Sequence, residues 1–427
     1  MSKARADLPQ GSRPLRALPA LAFALLGLAG CVVNETRPLP KLEAVQAKQQ
    51  IPEAELLDVG IQAFDANIPA ALADNEEALD KRRIYPDVRK AESRLLPTRL
   101  KATLEASGQW GAVRVVPQGV KFVDVMVTGK ILESTGGRLE LEIDALDATG
   151  RVWIKDKTYA GDADLGSYKT DAAMRTRDPF QNVYVQIAND LLLAREQLDG
   201  ASRREVRDVA QLRFAQDLDS RSFGGYLQQD ANGITRVSRL PAKDDPAIAR
   251  IAKIRERDAA VVDTLDGYNE QFAEGMFDSY AGYRRTSREA IEKEEKARAQ
   301  ATTRTVLGAA AVLASILAPS QCGSGDYNCQ RIEDAVRYGA GAGGVAAVMS
   351  GIKKFGDAKT AAQEVKELAR SFENEAGAQV VEVEGRTLKL TGTAEEQYRE
   401  WRKLLAAIYV EETGGVAPAK PGVSRKP

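Results

Sequence analysis

Between residues 123 and 145 the chain alternates apolar and polar positions. Val123, Val125, Val127, Gly129 and Ile131 are interleaved with Asp124, Thr128 and Lys130, and Leu139, Leu141, Ile143 and Ala145 with Glu140, Glu142 and Asp144. A period of two puts each apolar set on one face of a strand, so both segments read as strands covered on one side. STGGR at 134–138 is the hairpin turn between them, and DATGR at 147–151 turns into a third strand, RVWIKDKTY. Upstream, LLDVGIQAF at 56–64 places Val59, Ile61 and Ala63 on one strand face, and WGAVRVVP at 110–117 is a short strand. Residues 87–107 between them read as a helix in which Pro97 must start, kink or break a turn. Downstream, Val183, Ile187, Leu191 and Leu198 fall near one stripe of a helix over 178–198, the expected cover for the sheet.

A helical period governs the second half. After the charged stretch 201–245, Asp245-Pro246 supplies an N-cap and a first-turn proline. Ile248, Ile251, Ile254, Val262, Leu265, Phe272, Met276, Tyr280 and Tyr283 then keep mostly three-, four- or seven-residue spacing, as in a long helix or a helix pair. Two Ala/Gly-rich segments follow at 306–318 and 335–352. Gly339, Gly343, Ala347 and Gly351 recur every four residues, as do Ala310, Ala314 and Ala318, and small residues at that spacing let two helix backbones approach closely. A helical hairpin over 301–356 is expected, either packed in a soluble core or associated with a membrane or with other copies. Its first apolar run is too short to span a bilayer comfortably, and its second segment carries Arg337. An amphipathic helix near 357–375, a hairpin at 380–390 and a helix capped by Thr393 with Glu395 and Glu396 complete the region 357–412, before a disordered tail at 413–427. The fold class expected is α+β. A mostly antiparallel, helix-covered sheet forms an α/β domain at 55–200, followed by a helical region, 201–300, the hairpin and the small closing β-hairpin and helix.

The first 31 residues set the compartment. Lys3, Arg5, Arg13 and Arg16 precede the apolar run ALPALAFALLGLAG and then Cys31, the layout of a secretory signal peptide over 1–30. Leu28-Ala29-Gly30-Cys31 resembles the lipobox of bacterial lipoproteins. That resemblance implies a diacylated Cys31 thiol, cleavage before Cys31 and acylation of the new amine, a multi-chain anchor in a bilayer. Val32 at the second mature position, where aspartate would favour the inner membrane, implies the periplasmic face of the outer membrane. Residues 31–54, polar and proline-containing, are expected to tether the lipid to the first domain. With Cys31 committed, Cys322 and Cys329 are left, with six residues between them. In an oxidising periplasm they are expected to pair across the hairpin turn, a gain of roughly 2–3 kcal/mol.

Charge and residue usage exclude much chemistry. The chain has 427 residues, with 60 Lys+Arg against 61 Asp+Glu, so no nucleic-acid footprint follows. It has no histidine, which removes the Ser-His-Asp and Cys-His arrangements and leaves the cysteine pair without further zinc ligands. Gly339, Gly341 and Gly344 fit a dinucleotide-binding pattern, but a helical stretch precedes them where a strand is required. Ser350 to Lys353 fits S-x-x-K without its companion motifs. The acidic residues of the strands alternate as a solvated face does and single out no catalytic pair. No enzyme activity, cofactor or metal is expected.

Over roughly 55–200 the phrase VTGKIL…GRLELEIDALDATG is similar to the strand meander of periplasmic α/β domains of the TolB N-terminal and curli-secretion-lipoprotein type. The resemblance implies a non-catalytic interaction module serving an envelope machine for cell-wall synthesis, secretion or transport, through protein partners it does not identify. The alternative is a membrane-inserting oligomer, a secretion-channel or pore component built on the Ala/Gly-rich hairpin, with homo-oligomerisation expected in that case.

Overall fold

The computed structural model describes residues 40–242, 244–293, 296, 379–383, 386–390 and 393–413. The signal peptide, Cys31, the hairpin at 301–356, the helix near 357–375 and most of the tail lie outside the described residues. The fold is α+β, as expected. A five-stranded sheet runs in the order β2-β1-β3-β4-β5, with β1 at Val59–Gln62, β2 at Val113–Val116, β3 at Val125–Ser134, β4 at Arg138–Asp147 and β5 at Val152–Asp162. The meander β3-β4-β5 is antiparallel, whereas β1 lies parallel to both β2 and β3. Val125, Val127, Ile131, Leu139, Leu141, Ile143 and Ala145 are all buried on the covered face. Thr128, Lys130, Glu140, Glu142 and Asp144 on the other face are half-exposed.

Helices pack on that apolar face. After the short α1, Glu76–Lys81, comes α2, Pro86–Ser107, which runs unbroken through Pro97 and ends on Gly108 in the left-handed region at φ 63°. A proline inside a helix leaves the carbonyl four residues back without a donor. Here that carbonyl belongs to Ser93, and the backbone N–H of Phe64, just beyond β1, donates to it at 2.8 Å. Pro97 therefore frees the acceptor that stitches α2 to the end of β1. The short α3, Asp171–Thr176, leads to α4, Gln181–Glu196, whose Val183, Ile187 and Leu191 are buried against the sheet.

Helix α5, Gly200–Leu218, crosses the boundary expected at residue 200. Its Val206, Val209 and Ala210 close the core of the sheet, and its Phe214, Ala215 and Leu218 enter a second core. Beyond α6, Ser220–Phe223, and the small hairpin β6, Leu227–Gln229, and β7, Thr235–Val237, the second core is completed by α7, Pro246–Gly275. The Asp245 carboxylate caps α7 by accepting from the Ala247 N–H at 2.8 Å. A turn at Met276 separates α7 from α8, 277–293, so the long apolar period is a helix pair. A hairpin of β8, Gln379–Val383, and β9, Arg386–Leu390, precedes α9, Ala394–Thr413. Thr393 and Glu396 cap α9 reciprocally, at 2.9 and 3.2 Å. Trp401, Leu405 and Ile408 of α9 pack on Ile254, Val262 and Leu265 of α7 in the second core. Among the described residues no helix is long and apolar enough to cross a membrane.

Two positions make the packing testable. At Gly136, in the β3-β4 turn, a methyl group would overlap the backbone of Arg284 and Arg288 on α8, whereas at Gly137 it would meet only the flexible end of Arg288. Gly136→Ala is expected to cost at least about 2 kcal/mol in urea unfolding, and Gly137→Ala far less. Asp124, buried just before β3, accepts the Asp58 N–H at 2.9 Å and lies 3.8 Å from Arg207 Nε. Burial, partly offset by that hydrogen bond, raises its carboxyl to about 6. A raised folded-state value means the proton favours the folded form. The stabilisation is fully present below the ordinary carboxylate value and is lost as pH climbs from about 4 to about 6. Asp124→Asn keeps an acceptor for Asp58 and is expected to raise stability at pH 7.5 by up to about 3 kcal/mol. In a pH series of melting temperatures the advantage shrinks toward pH 4.

Candidate functional site

Buried charge is the first place to look for chemistry, and three clusters that join separate helices stand out, besides Asp124 and the buried Asp147 beside Arg151. In the first, Arg284 of α8 lies within 3.1 Å of Glu92 on α2. It donates to Ser134 Oγ at 3.0 Å and to the Thr135 carbonyl, with the Phe180 ring beneath it at 4.7 Å. Ser134 Oγ and the Tyr280 hydroxyl both donate to Glu92 Oε1, at 2.7 and 2.8 Å. In the second, Lys101 of α2 pairs with Asp266 and Glu270 of α7, and Asp266 Oδ1 accepts the Val115 N–H of β2 at 2.8 Å. In the third, Asp258 of α7 accepts from Trp401 Nε1 at 3.0 Å and from the Tyr398 hydroxyl at 3.3 Å on α9. Each cluster joins two or three elements and spends most of its polar atoms on them, as structural charge does, though the buried Glu92 Oε2 takes no hydrogen bond and lies 3.9 Å from Arg89 Nε. Among the described residues no group of His, Cys, Asp and Glu is placed to hold a metal ion.

The surface feature of interest is the groove between β5 and α4, about 320 Å³ in volume. Among the described residues, sheet order leaves β5 at an edge with no strand on its outer side. The opposite edge, β2, is closed by the Asp266 carboxylate on Val115. The groove floor and walls include Val152, Ile154, Lys155, Lys157, Asp190 and Leu193. Val152 is 57% and Leu193 58% exposed, so two large apolar side chains face water on opposite walls. Ile154 between them is buried.

Asp190 fixes the far end of the groove. Its Oδ2 accepts from Lys157 Nζ at 2.5 Å and from the Tyr159 hydroxyl at 2.6 Å, tying β5 to α4. Burial, then the hydrogen bond to Asp190, push the Tyr159 hydroxyl above the ordinary phenol range, so it stays a donor. Asp156 takes φ 45°, its N–H donates to Asp144 Oδ1 at 2.8 Å, and the β4-β5 register slips beside it. Such a bulge, flanked by Lys155 and Lys157, protects the edge from pairing with a second sheet along its whole length. The accessible part is the short stretch from Arg151 to Lys155. Lys155 is exposed and makes no ion pair with any described residue, while Arg151 is held 3.5 Å from the buried Asp147. The groove thus offers two apolar walls, a short run of free backbone edge and an unspent positive charge. That chemistry suits an extended segment with an apolar side chain next to a carboxylate.

Leu198 and the strand at 151–159 are legible in the sequence as structural elements, and none of the candidate site residues read there is among those that line this groove. Cys31, Cys322, Cys329, Gly339, Gly343, Ala347 and Gly351 all lie outside the described residues. The groove residues carry only faint local signals. Leu191, Leu192 and Leu193 are consecutive, and three successive residues on a helix span 200°, too wide an arc for all to face one core. Leu193 is the one turned outward. Compared with known families, curated proteins and solved structures, the chain matches no family model, no curated protein and no solved structure.

Proposed function

We propose that this chain is a non-catalytic lipoprotein adaptor, anchored through acylated Cys31 in the periplasmic face of the outer membrane. Its α/β domain docks an envelope partner through the β5-α4 groove. The observation that carries the docking reading is the pair of exposed apolar walls, Val152 and Leu193, beside an uncovered sheet edge. Burying such a side chain contributes about 1.5–3 kcal/mol, enough for two of them to anchor a transient contact. The lipobox-like end at Cys31 supports the anchor, which confines the domain to a surface and raises its effective concentration for a partner there. The competing reading, an oligomer inserted through the 301–356 hairpin, is favoured by the four-residue spacing of Gly339, Gly343, Ala347 and Gly351.

Three measurements separate these readings. Mass spectrometry of the membrane-purified protein is expected to find the mature N-terminus at an acylated Cys31; an unmodified thiol there overturns the anchor. Alkaline carbonate is expected to release a signal-processed Cys31→Ser protein, and its retention in the pellet would favour the inserted oligomer. Crosslinking and recovery from the envelope are expected to yield a defined partner that Leu193→Glu reduces at least tenfold without changing the melting temperature. Undiminished recovery with Leu193→Glu, or with Lys155→Glu, removes the groove from the reading.

A further inference from the structure

Residues 40–47 fall in the stretch expected as tether, yet they lie extended along α4, held by two of that helix's asparagines together with Arg177, Ser107 and Gln109. Asn182 Oδ1 accepts the Leu42 N–H at 3.0 Å, while Asn182 Nδ2 donates to the Pro40 carbonyl at 2.9 Å. The same pairing recurs at Asn189, whose Oδ1 accepts the Val45 N–H at 3.0 Å and whose Nδ2 donates to the Glu43 carbonyl at 3.4 Å. Arg177 Nη2 reaches both the Leu42 carbonyl, at 3.0 Å, and Asn182 Oδ1, at 2.7 Å. At the C-terminal end the Ala47 N–H donates to the Ser107 carbonyl at 2.9 Å, and Gln109 Nε2 donates to the Val45 carbonyl at 3.3 Å. Each of these bonds to the segment goes to its backbone. Its large apolar side chains are only partly covered, with Leu42 37% and Val45 48% exposed.

The register has a simple geometric cause. Asn182 and Asn189 are seven residues apart, so they share a helix face and rise about 10.5 Å along it. Leu42 and Val45 are three residues apart, which in extended chain is about 10 Å. A primary amide presents one acceptor and two donors, so it can take the N–H of one residue and the carbonyl of another on an extended strand. Two such amides at matching spacing read any extended backbone, whatever its side chains.

We infer that the Asn182–Asn189 face of α4 is a backbone-reading site for extended peptide, occupied in this molecule by residues 40–47 as a releasable strap. The strap's two large apolar side chains are only partly covered, so hydrogen bonds that water can replace carry much of its hold. Its consequence rests on the lipid-anchor reading. With the strap bound, the chain length from Cys31 to Pro40 caps the reach at about 30 Å even at full extension. With it released, the next firm attachment is Glu53, whose carbonyl Arg207 engages, followed by Glu55, which Arg203 and Arg204 hold. The reach then extends to at most about 75 Å. The strap therefore sets how far from the membrane the groove can work.

Hydrogen exchange on the full mature chain tests the strap directly. The amides of Leu42, Val45 and Ala47 are expected to exchange at least tenfold more slowly than in a free peptide. Asn182→Ala with Asn189→Ala should bring Leu42 and Val45 to free-peptide rates, while β3 and β4 amides stay protected. Leu42→Pro with Val45→Pro deletes the two donors from the strap and leaves α4 untouched. It should likewise bring Ala47 to a free-peptide rate. Free-peptide rates in the unmodified chain, or continued protection of Ala47 in the proline variant, overturn the strap. For the consequence, spin-label distances from the bilayer to Lys155→Cys in nanodiscs should lengthen in the asparagine variant. An unchanged distance on acylated protein overturns the reach, and absence of acylation overturns the anchor while the exchange result still decides the strap.

Discussion

A buried guanidinium must find acceptors before the fold can close, and Arg284 finds them on three separate elements. Glu92 comes from α2, Ser134 and Thr135 from the end of the β3-β4 hairpin, and Tyr280 from its own helix one turn back. Removing any one partner of such a cluster leaves uncompensated charge in the interior, which costs far more than the intact cluster contributes. The hairpin tip, α2 and α8 are therefore placed together or not at all. Gly136 belongs to the same constraint. The turn approaches the α8 backbone so closely that no side chain fits, and the Gly136 N–H is taken by Ser287 Oγ at 3.1 Å.

The same device recurs along α7. Asp258 and Asp266 are both buried, burial raising the carboxyl of each above its ordinary value, and each is satisfied by a different neighbour. Asp258 receives Trp401 of α9, and Asp266 receives Lys101 of α2 and the backbone of β2. One helix thereby holds the C-terminal helix on one side and seals a sheet edge on the other. Among the described residues no such carboxylate accepts from the outer backbone edge of β5, where protection comes from the bulge at Asp156 and the lysines around it. Among the described residues that edge is guarded by shape and charge and not by another element, which leaves the groove.

What was legible in the sequence follows from the range of the forces involved. The meander at 123–159, the Asp245 and Thr393 caps and the helix stripe at 183–191 depend on neighbours a few residues away, and period and capping express them. The parallel pairing of β1 with β2 and β3 depends on residues more than fifty positions apart, and no local period reports it. Pro97 reads as a start, kink or break because its compensation, the Phe64 N–H on Ser93, comes from just beyond β1, about thirty residues earlier. Helix α5 was obscured by its charge, since Arg203, Arg204 and Arg207 point at Glu55 and at the 53–56 backbone and not at open solvent. The groove had no signature beyond an extra leucine, because an exposed apolar side chain is common and only its partner across a gap gives it meaning.

Helix α4 serves both surfaces, and its geometry decides whether they communicate. Asn189 faces the strap and Asp190 faces the groove, so the two functions diverge by the 100° that separates successive residues on a helix. A segment bound between Val152 and Leu193 need not displace residues 40–47. Communication through α4 itself would require the helix to have two packed arrangements that both sites bias. Val183, Tyr184, Ile187 and Leu191 are all buried between α4 and the sheet, and Asp190 is tied to Lys157 and Tyr159. A helix pinned in that way has one arrangement available. On this geometry strap release and groove occupancy are independent events; under the proposed lipid-anchored reading, the first would set the distance searched and the second how long a partner is held.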